Sequence, residues 1–129
     1  MKIKMTLDEI RAYLNSKKFV TEELPFGPQA LVFKVMEKMF ALVAWEEDPL
    51  YISLKCNPDR ANALRVSYSS IKPAYHMNKK HWNMIYLDGE LGNSQIMEMI
   101  DHSYELVVKG LKKSDQLKIL ENRKSNYDE

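Results

Sequence analysis

Apolar positions fall into short runs along this chain, and their period changes from segment to segment. Thr6-Leu7-Asp8-Glu9 reads as a capping box: the threonine hydroxyl accepts from the third helical N–H and Glu9 reaches back to the cap. Ile10, Tyr13 and Leu14 then share one helical face, and Lys17 and Lys18 suit the negative end of the helix dipole. Pro25-Phe26-Gly27-Pro28 breaks any regular element. Leu31 to Met36 and Met39 to Trp45 are apolar runs of strand length, with Glu37-Lys38 as the turn between them. That pair is poor chemistry for a two-residue turn, which favours Asn-Gly or other glycine-containing pairs. After the polar turn Glu46-Glu47-Asp48-Pro49, Tyr51 to Cys56 alternates, with Ile52, Leu54 and Cys56 on one face and Tyr51, Ser53 and Lys55 on the other. This is the pattern of a half-buried strand.

Asn57-Pro58 joins a capping side chain to a proline at the first helical position, so a helix starts there with Ala61, Leu64 and Tyr68 on one face. Pro73 lies beyond its end. Ala74 to Met77 is a short extended segment, Asn78-Lys79-Lys80-His81 a polar connection, and Trp82 to Leu87 another strand. Asp88-Gly89 is a turn. Asn93 or Ser94 caps a long helix that turns Ile96, Met99, Ile100, Tyr104 and Val107 inward, sets Asp101, His102 and Glu105 on its solvated side, and stops at Gly110. From Lys112 the character changes: Ser114 caps a short helix carrying Leu117 and Leu120, and Arg123 to Glu129 reads as a frayed tail. The order is α-β-β-β-α-β-β-α, which predicts a two-layer α+β domain with helices packed on an antiparallel sheet.

The length of 129 residues fits one such core. No apolar run approaches the roughly 20 residues of a membrane span, and the lysines near Met1 lack the apolar stretch of a signal peptide. A single cysteine, Cys56, excludes an internal disulfide. These features predict a cytoplasmic protein without a membrane partner. The net charge is only +1 but is unevenly spread. Residues 55–81 carry Lys55, Arg60, Arg65, Lys72, Lys79 and Lys80 against Asp59 alone, a surplus of +5, and residues 82–110 carry −4. A nearly neutral protein with a basic middle still presents a local positive field.

Several motifs between about residues 6 and 111 resemble the MmcQ/YjbR family. Ser53 to Ala61 (SLKCNPDRA) followed by Leu64-Arg65, and Ile71 to Asn83 (IKPAYHMNKKHWN), resemble its two central signatures. Phe26-Gly27-Pro28, Leu87-Asp88-Gly89 and Asp101 to Leu111 (DHSYELVVKGL) agree as well. Ala74 stands where the family usually has glycine, and the Glu37-Lys38 turn lacks its usual glycine. The resemblance implies an α-β(3)-α-β(2)-α order, the YjbR-like or double-wing arrangement related to secretion chaperones. It divides the chain into a domain at residues 1–111 and a C-terminal extension at 112–129. It also implies DNA binding, with no established enzymatic activity.

The residues themselves support binding better than catalysis. Lys55, Arg60, Arg65, Lys72, Lys79 and Lys80 would contact phosphates, and Tyr75, His76, His81 and Trp82 would stack on exposed bases. Asn78 would read a base edge. The plainer reading is that Tyr75 and Trp82 are core residues flanking a charged hairpin tip. His76 and His81 are five apart, unlike common metal spacings, so neither metal nor cofactor is expected. No nucleophile elbow, glycine-rich phosphate loop or paired-carboxylate motif is present. Cys56 falls on the inward face of its strand, where a thiol is inert. The chain is therefore expected to be a non-enzymatic binding module for DNA, with a protein-interaction or chaperone-like module as the second reading.

Overall fold

The alternation from Tyr51 to Lys55 builds the centre of the sheet. The computed structural model describes residues 5–75 and 77–128, with side chains as far as Glu121. Six strands, β1 (Val20–Glu23), β2 (Leu31–Val35), β3 (Lys38–Ala44), β4 (Tyr51–Lys55), β5 (Ile71–Pro73) and β6 (Trp82–Tyr86), form one sheet in the order β1-β2-β3-β4-β6-β5. Every neighbouring pair is antiparallel. The α+β class and the antiparallel sheet are as the sequence predicts.

Two strands differ from expectation. β1 lies in a segment with no strand pattern, because this edge strand is held by pairing rather than burial. Its backbone bonds to β2, Glu22 binds Arg11 at 2.7 Å, and Glu23 binds Lys34 at 3.1 Å. The short strand after the second helix is Ile71–Pro73, not Ala74–Met77. Ile71 is the residue that turns inward there, opposite Ile85.

The helices start where their caps place them. α1 (Leu7–Asn15) has both bonds of the capping box, Glu9 N–H to Thr6 Oγ1 at 3.1 Å and Thr6 N–H to Glu9 Oε1 at 2.9 Å. α2 (Pro58–Ser67) begins with the Asp59 N–H donating to Asn57 Oδ1 at 3.1 Å. α3 (Asn93–Lys109) is capped by Gly92 rather than Asn93 or Ser94, and the Gln95 side chain accepts from the Gly92 N–H at 2.9 Å. Gly110 ends it in a right-handed conformation, so the stop does not depend on a left-handed glycine. α4 (Lys113–Asp128) is longer than the short helix expected, and its helical backbone includes most of the segment read as a tail. It anchors through Ile119, while Leu117 and Leu120 remain exposed.

One face of the sheet meets the helices. α3 lies against β2, β3 and β4, α1 against β1 and α2 against β5. Ile10, Leu14, Phe33, Val35, Phe40, Val43, Ile52, Leu54, Ile85, Ile96 and Ile100 close this core. Burying each such side chain contributes about 1.5–3 kcal/mol. The opposite face is bare of these helices, although Ala44, Ser53 and Met84 are buried there. Side chains of the other parity, Leu42, Ala44, Tyr51, Ser53 and Met84, line an open cleft of about 630 Å³ there.

The β2–β3 hairpin turns one residue earlier than the sequence predicts. Val35 pairs with Lys38, and the two loop residues Met36 and Glu37 have φ of 47° and 68°. Positive φ at both central residues is the mark of a type I′ turn, which suits strand twist but strains residues with a Cβ. Met36 also packs on the core, whereas Glu37 is exposed. Replacing Glu37 with glycine is therefore expected to raise stability by about 0.5–1 kcal/mol, the relief of strain exceeding the added chain entropy. A urea midpoint that stays put or falls would contradict the strain argument.

Candidate functional site

The bare face is assembled from alternate residues of neighbouring strands. Ser53 lies opposite both Leu42 of β3 and Met84 of β6, and Tyr51 lies opposite Ala44 and Tyr86. The Tyr51 and Tyr86 rings meet at 5.3 Å between centroids, tilted by 56°. Burial raises the Tyr51 phenol pKa, and the nearby Glu47 carboxylate adds to the shift, so the hydroxyl stays protonated. Two loops wall the cleft. Phe26, Gln29 and Ala30 come from the segment before β2, and Ala74 and Met77 from the segment after β5. The first wall is tied down by Trp45, whose indole N–H donates to the Pro28 carbonyl at 2.8 Å. Gly27 turns this loop at φ 109°, a conformation that a side chain would strain.

The basic stretch predicted from sequence divides between the two sides of the sheet. Arg60 and Arg65 sit on α2, in the helical layer. Arg60 forms an ion pair with Glu98 of α3. Arg65 donates through Nε to Asn83 Oδ1 at 2.6 Å, to the Trp82 carbonyl at 3.3 Å, and also to the Lys79 carbonyl and Asn62. It ties α2 to the loop before β6. Lys55 and Lys72 belong to the other side by strand parity. Lys55 lies opposite Trp82 at the end of β4, and Lys72 opposite Met84 on β5, so they flank β6 from both sides.

Tyr75, Lys79 and Lys80 are exposed on the loop between β5 and β6, with Tyr75 61% accessible. The Lys79 ammonium lies 5.6 Å from the centroid of the Tyr75 ring. Tyr75 is thus a surface residue, and Trp82 is half-buried at the start of β6. Asn78 shapes the turn: its side chain accepts from the Lys80 N–H at 3.0 Å, and its carbonyl accepts from the His81 and Trp82 N–H groups. His81 is half-buried, and its carbonyl accepts from the Cys56 N–H at 2.7 Å. His76 lies outside the described residues.

Two features were not legible as a site in the sequence. The first is the cleft, whose lining comes from five separate segments. The second is the placement of Cys56 and His102 in one small crevice, which Leu64 and Met99 also line. His102 is half-buried and accepts from the Asn57 N–H at 3.3 Å, and Asp101 beside it accepts from the Tyr13 hydroxyl at 2.6 Å. Asp101 and His102, expected on the solvated side of α3, therefore dock against α1 and the N-cap of α2, whereas Glu105 is exposed as expected. Burial, reinforced by Arg60, lowers the His102 pKa, and burial raises that of the Cys56 thiol. Both shifts run against a thiolate–imidazolium pair.

The fold and this face define a two-layer α+β protein with helices on one side of an antiparallel sheet and a cleft on the other. The chain belongs to the YjbR family, whose family model matches residues 15–106. It is 41% identical over 95 residues to the uncharacterized protein YbdF of Escherichia coli O157:H7, covering 74% of this chain and 78% of that one. It is 36% identical over 104 residues to the uncharacterized protein YjbR of Escherichia coli K12, covering 81% and 88%. Among solved structures, that of a Deinococcus radiodurans protein superposes with a TM-score of 0.84 at 36% identity, covering 92% of this chain and 91% of that one. A Pseudomonas syringae protein superposes with a TM-score of 0.69 at 30% identity, covering 79% and 98%. Among the described residues no helix is long and apolar enough to cross a membrane.

Proposed function

We propose that this protein is a non-enzymatic binding module that takes single-stranded DNA along the basic end of its bare sheet face. The observation that carries this reading is the placement of Lys55 and Lys72 on either side of Trp82 and Met84, next to a loop with exposed Lys79, Lys80 and Tyr75. A sheet face with aromatic rings and flanking cations suits splayed bases, because every base has a face to stack and every phosphate a charge to neutralise. Duplex DNA would gain less, since the Asn78 side chain is engaged in its own turn and is not free to read a base edge. Arg60 and Arg65 play no part in the proposed interface.

If four lysines reach phosphates, affinity for a single strand should fall roughly 50-fold between about 50 and 200 mM salt. Replacing Lys79 and Lys80 with alanine should weaken binding and reduce that fall to about 7-fold, since two contacts remain. Tyr75→Ala should weaken binding to single strands with little loss of stability, because the ring is exposed. A fluorescence-anisotropy titration of the three proteins checks all of this. No binding at about 100 µM in low salt, or an unchanged salt slope in the double-lysine variant, would remove nucleic acid as the ligand. The protein-interaction reading would then lead, and the exposed Leu24 and Phe26 near the other end of the face favour it.

A further inference from the structure

The cleft has a chemistry that the basic end does not share. Its volume of about 630 Å³ lies within the range of small-molecule sites. The floor and walls are apolar, with Leu42, Ala44 and three methionines, Met39, Met77 and Met84. Thioether side chains are flexible and polarisable, so such a lining adapts to differently shaped apolar bodies. Among the described residues the charged ones that line it are Glu46 and Glu47, both exposed. Tyr51 lines the same cleft, its ring beside that of Tyr86 and its phenol within the field of Glu47. An aromatic ring backed by two carboxylates attracts a cation, and an anion brought to the same rim is repelled.

We infer that the cleft binds a small organic cation, an amine with an apolar aromatic or alkyl body, with the body over Met84 and Leu42 and the ammonium between Tyr51 and the Glu46–Glu47 rim. The inference does not rest on DNA binding, although Met84 borders both regions, because among the described residues no lysine lines the cleft. Glu46 and Glu47 are solvent-exposed, so each contributes modestly to the cation's affinity. The apolar body supplies most of the binding, and the rim supplies the selectivity.

The probes are phenylbutylamine, phenylbutanol and phenylbutyrate, which share one body and differ in charge. Each is titrated into protein with isotope-labelled methionine methyl groups and followed by NMR. The methyl signals of Met39, Met77 and Met84 should shift, and that of Met99, buried on the helical side, should not. The amine should bind about five- to tenfold more tightly than the carboxylate at low salt. In the double variant Glu46→Gln, Glu47→Gln the amine should bind no better than the alcohol. Both positions are exposed, so the variant keeps its fold. The double-lysine variant at 79 and 80 should bind the amine like the parent protein, even if DNA binding is absent altogether. Equal affinity for amine and carboxylate, shifts spread to Met99, or a glutamine variant that keeps its preference for the amine would each overturn the inference.

Discussion

Replacing Ser103 with alanine is expected to cost about 2–4 kcal/mol of stability, although the side chain is small and carries no charge. The reason lies in a bulge. Phe33 pairs with Ala41 but Lys34 pairs with Met39, so Phe40 is an extra residue on β3. On the other side Ala41 pairs with Leu54, which brings Phe40 abreast of Lys55 without a direct bond. The Ser103 hydroxyl fills the gap from α3. It donates to the Phe40 carbonyl at 2.6 Å and accepts from the Lys55 N–H at 2.9 Å. Ser103 is fully buried, so alanine would leave both backbone groups without a partner and without water. The same bulge turns the Phe40 ring inward to meet Tyr104 edge-on, at 5.3 Å between centroids.

Urea unfolding of Ser103→Ala should show a lower midpoint at an unchanged m-value, and the Lys55 amide should exchange faster. Ser94→Ala, at an exposed position near the start of the same helix, should lie within about 0.5 kcal/mol of the parent protein. A loss at Ser103 as small as that at Ser94 would mean that the hydroxyl does not bridge the strands.

The bulge shows where a sequence stops being legible. Apolar alternation identifies β3 as a strand, but it does not reveal that one residue is unpaired, because that depends on the register of two neighbours. The capping box at Thr6 and the Asn57-Pro58 start could be read directly, since each is satisfied within four residues. β1 could not, because its energetics lie in β2 and in ion pairs to Arg11 and Lys34. The hairpin tip was displaced by one residue because the turn uses positive φ at Met36 and Glu37, neither of which advertises it. The basic stretch from 55 to 81 was recognised as a charge surplus, yet the chain crosses from strand to helix to strand within it. Its cations therefore point to opposite sides of the sheet, and only their elements decide which remain available to a ligand.

Arg65 provides the sharpest test of that division. Asn83 is 2% exposed, and its Oδ1 accepts from Arg65 Nε. Its Nδ2 donates to the Ala61 carbonyl at 3.4 Å, a longer contact. Arg65→Ala would leave Asn83 Oδ1 buried without a donor and would take the guanidinium from the Lys79 carbonyl, while the Trp82 carbonyl keeps the Ala74 N–H, an expected loss of about 2–3 kcal/mol. Arg65→Lys separates the two roles. A lysine still meets a phosphate as a point charge, but its ammonium cannot reproduce the planar fork that serves Asn83 and two carbonyls together. If Arg65 is a structural clasp, the lysine variant should lose nearly as much stability as the alanine variant. Both should keep the parent's salt dependence for single-stranded DNA at temperatures where they remain folded. If Arg65 instead contacts phosphate, the lysine variant should match the parent in stability and affinity, and the alanine variant should show a shallower salt slope. Denaturation midpoints and DNA titrations of the two variants decide between these outcomes, and the bonds to Asn83, Trp82 and Lys79 predict the first.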